Sequence, residues 1–226
     1  MKKQRKIPAA VLFSGGKDSC LALHKAMKEY DVKYLLSIIP KNPDSFMFHK
    51  PYLNLLSRQA EMLDKELIIL ESEGKKEEEL KDLEKLISLI KDKAEVIVVG
   101  GIASSYQGNR IKKICDKFKL EFYAPIWDYN QEEVWNELLE NNFKVILTKI
   151  SSEGLPHEIL GRIIGKKEFE NLKKLSKKYG FRIDFEGGEA ETAVLFMPEF
   201  RKEIEIDYKI IEQGKYNAIL TIKNLK

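Results

Sequence analysis

The chain has 226 residues, 43% hydrophobic and 33% charged, enough for one sizeable core and a smaller companion lobe. Its 39 Lys and Arg against 36 Asp and Glu leave a net charge of +3, so no global field selects nucleic acid or an anionic membrane as partner. Cys20 and Cys115 form no CxxC pair, which argues against a zinc cluster or disulfide framework and suits a reducing, cytoplasmic setting.

Residues 1–6 read as a short solvated tail, because the apolar run after them stops at Ser14, too soon for a signal core or a membrane span. Residues 9–13 then form a strand, Ser14-Gly15-Gly16 a loop and residues 18–30 a helix. A second apolar strand, 34–39, is closed by Pro40 and leads into a long loop containing Pro43. A helix over 52–63 follows, then a strand at 67–70. Leu80, Leu83, Leu86, Ile87 and Ile90 share one face of a helix over 76–91, before a strand at 96–99. Strands apolar throughout that alternate with amphipathic helices signify an α/β fold, an open parallel sheet covered on both faces.

A further strand is expected at 121–124, a helix at 131–140 starting near Asn130, a β-rich run at 144–150, helices around 158–164 and 168–179, and strands at 193–196, 203–211 and 216–222. This changed rhythm divides the chain into an open α/β domain, 1–140, and a smaller α+β lobe, 141–226.

The strand-to-helix turn Ser14-Gly15-Gly16-Lys17-Asp18-Ser19 carries the chemistry. Consecutive backbone N–H groups at a helix N-terminus bind phosphate oxygens, and two glycines let the backbone approach closely. Ser14 and Ser19 can donate hydroxyl hydrogen bonds, Lys17 can neutralise charge and Asp18 can hold Mg2+. The spacing is neither a Walker A loop nor a dinucleotide fingerprint. A plain turn with a helix cap is the competing use of such glycines.

Ser37, Ile38, Ile39, Gly100, Gly101 and Ile102 fall at the strand ends where open α/β sheets bind ligands. His49 lies in the long loop, as a phosphate contact or a surface residue. The run Glu186-Gly187-Gly188-Glu189, followed by Glu191 and Thr192, sets carboxylates around two glycines and suits a cation; a charged turn before a strand is the alternative. Arg110 and Arg162 can bind phosphate or a carboxylate, or make ordinary ion pairs.

Ser14 to Ser19 resembles the loop of the PP-loop, or N-type, ATP pyrophosphatases, which cleave ATP between the α and β phosphates. The segments Ser45-Phe46-Met47-Phe48-His49, Gly100-Gly101-Ile102 with Ser105, Tyr106, Gln107 and Arg110, Pro125-Ile126-Trp127, Leu160-Gly161-Arg162 and Glu186 to Thr192 resemble the diphthine–ammonia ligase family.

That resemblance implies an ATP- and Mg2+-dependent ligase that adenylates the diphthine carboxylate of translation elongation factor 2 and amidates it with ammonia, releasing AMP and pyrophosphate. It implies catalytic roles for Lys17, Asp18, Glu186 and Glu189. Nucleotide contacts fall to the Ser14 to Ser19 loop, residues 37–39, His49 and residues 100–102. Substrate contacts fall to Tyr106, Gln107, Arg110, Trp127, Arg162, the Glu-Gly-Gly-Glu run, Glu191 and Thr192. No membrane or nucleic acid is expected, and a homodimer stays open. A PP-loop tRNA-modifying enzyme or an ATP-binding sensor are the alternatives.

Overall fold

The computed structural model describes residues 6–40, 52–73, 79–101 and 105–226, with backbone alone at residues 40 and 105–107. Strands β1 (Pro8–Leu12), β2 (Asp31–Pro40), β3 (Glu66–Ser72), β4 (Val96–Val98) and β5 (Glu121–Tyr123) pair in parallel in the order β3-β2-β1-β4-β5. Helices α1 (Lys17–Glu29), α2 (Leu53–Leu63), α3 (Glu79–Ser88) and α4 (Ser105–Lys117) make the crossovers. The alternation of β1 shows why both faces are covered. Ala9 and Val11 join the core that includes α1 and α2, whereas Ala10 joins the one formed with α3 and α4.

Helix α5 (Gln131–Glu140) leads to a second, antiparallel sheet of β6 (Lys144–Ser151), β7 (Ala190–Phe196), β8 (Ile206–Gly214) and β9 (Asn217–Leu225), ordered β7-β6-β9-β8. Helix α6 (Lys166–Tyr179) lies between β6 and β7 in the chain. Asn130 starts α5 with a capping box: its side chain accepts from Glu132 and Glu133 N–H at 2.9 and 3.0 Å. One hydrophobic cluster runs from Val11 and Leu21 through Trp135 to Ile146 and Val194, so the two sheets share a core, and α1 touches both β1 and β7.

Several sequence expectations change, and β2 and β7 start three residues earlier than expected, at Asp31 and Ala190. The helix expected over 158–164 is a single 3-10 turn, His157–Ile159, after which Leu160 and Ile163 bridge to β6. Gly161, with φ +76°, breaks the helical path there. Helix α4 has no counterpart in the sequence reading, because among its described side chains the buried face is Gly108, Ile111, Ile114 and Cys115 amid polar residues. The last two strands end three residues later than expected, at Gly214 and Leu225.

Candidate active site

A cavity of about 570 Å3 opens where the chain's strand order reverses, at the C-terminal ends of β1, β2 and β4. Its floor includes the Ser14 to Ser19 loop, and part of its opposite wall comes from residues 184–188 and β7.

The loop is built for close approach. Gly16 precedes α1 in extended backbone with no side-chain cap, so the first turn's N–H groups are not consumed by a local side chain. The Ser14 and Ser19 hydroxyls lie 3.2 Å apart, and Ser19 also donates to the Gly16 carbonyl at 3.1 Å. Gly15 has φ +74°, and a Cβ there would stand 2.1 Å from Gln59 Oε1. At Gly100 a Cβ would stand 2.8 Å from the Ser19 nitrogen; only a glycine lets the end of β4 pack onto the start of α1. Lys17, 2% exposed, donates to Asp18 Oδ2 at 2.6 Å.

The far wall is held by α5. Ile183 N–H donates to Gln131 Oε1 at 3.0 Å, and the buried Trp135 indole donates to Ile183 O at 2.6 Å. Trp135 also stacks on Phe169, with ring centroids 5.7 Å apart. Beyond this anchor Phe185 adopts φ +61°, a left-handed conformation uncommon outside glycine, and the chain turns through Gly188 at φ +83°. The turn brings Glu186 back over the phosphate loop. Its Oε1 would be 2.3 Å from a Cβ at Gly101, a position that the Asp18 carboxyl also borders.

Burial, reinforced by the charge of Asp18, pushes the Glu186 carboxyl up to about 7, while Lys17 works in the opposite sense. Asp184 behaves differently. Burial works to raise it, but the Arg182 guanidinium, donating at 2.9 Å from Nε and 2.5 Å from Nη2, together with the Glu186 N–H, holds it below the ordinary range. Glu189 does not border the cavity; it accepts from the N–H groups of Arg182 and Gly187 at 3.1 and 2.9 Å and shapes the turn from behind.

Ser14 to Ser19, Ser37, Ile38, Gly100, Gly101, Glu186, Gly187, Gly188, Glu191 and Thr192 meet at this one cavity. Ile39 is half-buried in β2 and pairs with Glu71 of β3. Trp127 packs edge-on against Phe122 and over Gly108, away from the cavity, and Arg162 is exposed beyond the 3-10 turn. Arg110 is half-buried on α4 outside the cavity lining. His49 and Ile102 lie outside the described residues, as do the side chains of Tyr106 and Gln107.

Gln59, Tyr52, Thr148, Asp184 and Phe185 also line the cavity. Gln59 did leave a signal, since it occupies the apolar face of α2 between Leu55, Leu56 and Leu63. Tyr52 donates to the Leu220 carbonyl, and burial, then the charge of Glu191, pushes its phenol up to about 12. Asp18 offers one hard oxygen donor to the cavity, a donor of the kind that Mg2+ takes together with water and phosphate oxygens. Among the described residues no group of three or more His, Cys, Asp or Glu could hold a metal by itself.

Family models described as the diphthamide synthase N-terminal and C-terminal domains match residues 7–121 and 130–226. The chain belongs to the diphthamide synthase family. The relatives of this diphthamide synthase family member include a rat diphthine–ammonia ligase, 33% identical over 220 residues covering 88% of this chain and 82% of the relative. The human protein of that name is 32% identical over 223 residues, with the same coverage. The fission yeast one is 29% identical over 223 residues, covering 90% of this chain and 37% of the longer relative. A solved structure titled as a predicted tRNA methyltransferase subunit from Methanocaldococcus jannaschii overlaps 87% of this chain and 99% of its own, at 17% identity and a TM-score of 0.46, too distant to bear on function.

Proposed function

We propose that this chain is an ATP-dependent amide ligase that adenylates the carboxylate of diphthine on translation elongation factor 2 and amidates it with ammonia. The observation that carries the reading is the meeting, across one cavity, of the Ser14 to Ser19 loop and the Glu186 turn in a chain of this family. Residues 1–140 serve the nucleotide and residues 141–226 the protein substrate.

The chemistry needs a leaving group, because a carboxylate oxygen is a poor one. Attack of the substrate carboxylate on the α-phosphorus forms an acyl–phosphate bond and releases pyrophosphate; ammonia then attacks the carbonyl carbon and AMP leaves. The chain orients these groups and stabilises charge. Backbone N–H groups of the loop, the Ser14 and Ser19 hydroxyls and the Lys17 ammonium hold the β and γ phosphates. Asp18 is the residue that would hold Mg2+, which neutralises phosphate charge when bound. Glu186, which lines the cavity beside Asp18 and Gly101, takes the proton that ammonia gives up as the carbon–nitrogen bond forms.

The reading places the protein in the cytoplasm, acting without nucleic acid or membrane. Among the described residues no helix is long and apolar enough to cross a membrane. It is compatible with a homodimer, which light scattering decides. Purified protein given diphthine-bearing elongation factor, ATP, Mg2+ and ammonium is expected to yield diphthamide, AMP and pyrophosphate in equal amounts. Formation of ADP, or no turnover with all components present, refutes the assignment.

A further inference from the structure

The carbonyl of Gly15 is a group of the phosphate loop that an anion would reject, and the structure shows it held from behind. Gln59, 1% exposed, donates from Nε2 to Gly15 O at 2.9 Å and to Val194 O at 2.8 Å. The Val194 N–H donates to the same Gly15 carbonyl at 3.0 Å. In the same contact, Lys17 N–H donates to Thr192 Oγ1 at 3.1 Å. Among the described residues β7 is an edge strand paired with β6, and its outer edge is met by the phosphate loop and by one side chain from α2.

A trans peptide sets its C=O and N–H in opposite directions. Fixing Gly15 O toward α2 and β7 therefore aims the Gly16 N–H the other way, toward the side where Ser14 Oγ lies, 3.4 Å from the Gly16 nitrogen. The peptide between two glycines has little steric barrier to flipping, and Gly15 already sits at φ +74°. A flip would present a carbonyl oxygen to phosphate and withdraw a donor.

We infer that Gln59 is a positioning residue that locks the Gly15–Gly16 peptide in its phosphate-accepting orientation and ties that orientation to the substrate-bearing strand β7. Gln59, 1% exposed, acts on the nucleotide through the loop, so its effect concentrates on the phosphates and spares adenosine. This inference rests on the proposed ATP site.

The test compares wild type with Gln59→Met, which keeps the length of the side chain and removes both donors. Calorimetric titration with ATP, pyrophosphate and adenosine is run beside thermal unfolding. ATP and pyrophosphate are expected to bind about tenfold more weakly to the variant, the loss of one to two buried hydrogen bonds, with adenosine within twofold of wild type. Equal ATP affinity in the two proteins overturns the inference. So does a parallel loss of adenosine and ATP, which a general structural role would produce. No ATP binding by wild type refutes the proposed site itself instead.

Should Gln59→Met fail to fold, Gln59→Glu supplies the second reading. Its carboxyl donates to Gly15 O only when protonated, so its pyrophosphate affinity relative to wild type must improve as pH falls. A ratio that does not change with pH overturns the inference.

Discussion

Replacing Glu186 with Gln tests the electrostatics of the cavity without a nucleotide present. The carboxyl has an ordinary value of 4.5 and stands at about 7 in the folded protein, from burial and then the neighbouring Asp18 charge. Because the folded value is raised, the folded state binds the extra proton between about 4.5 and 7, and wild-type stability falls as pH rises through that window. Above it the full cost of an ionised Glu186 is present, about 3 kcal/mol; below 4.5 it is absent. Glu186→Gln is nearly isosteric and never ionises. Its urea midpoint should match wild type at pH 4.5 and exceed it by about 1 M at pH 8, for an m-value of about 3 kcal/mol/M. A stability gap constant across this range, or a variant less stable than wild type at pH 8, refutes the reasoning.

Gly15→Ala forces a Cβ into a left-handed residue and against the buried Gln59 amide; it is expected to weaken ATP at least tenfold, measured by titration calorimetry. Trp135→Phe leaves the Ile183 carbonyl without its buried donor and should cost about 1–3 kcal/mol, read as a melting temperature several degrees lower. Asp184 carries the opposite pH signature to Glu186. Its depressed folded value gives stability that is present above its ordinary 3.8 and is lost as pH falls through the folded value, so the deficit of Asp184→Asn should be full at pH 7 and shrink under acid denaturation.

The parallel sheet was legible because β1 and β4 are apolar throughout, β2 is apolar over residues 34–39 but for Ser37, and each is followed within a few residues by a glycine or proline. Helix α5 was legible because Asn130 and Glu133 spell out a capping box. Helix α4 was not, since a buried stripe of one glycine, two isoleucines and a cysteine barely rises above its polar surroundings. The candidate site divided in the same way. Contiguous residues such as Ser14 to Ser19 and Glu186 to Glu189 announce themselves by local composition. Gln59 and Asp184 matter through partners 135 residues away and two residues away respectively, and only folding shows that Gln59 faces Val194 while Asp184 faces the cavity. The division of labour between Glu186 and Glu189, one over the loop and one bonded behind the turn, is likewise a matter of which way each side chain points.

The outer edge of β7 has a consequence for how the protein is made. Synthesis proceeds from the N-terminus and early segments fold first. Every strand of the parallel sheet therefore leaves the ribosome well before Val194, the residue that fastens the Gly15 carbonyl. A nascent chain can thus hold a complete first sheet while its phosphate loop is still unfastened. On the proposed reading, competence to grip a nucleotide arrives only once β7 has emerged and found its neighbour. A chain interrupted before that point would carry the whole nucleotide motif and still lack the strand that sets it.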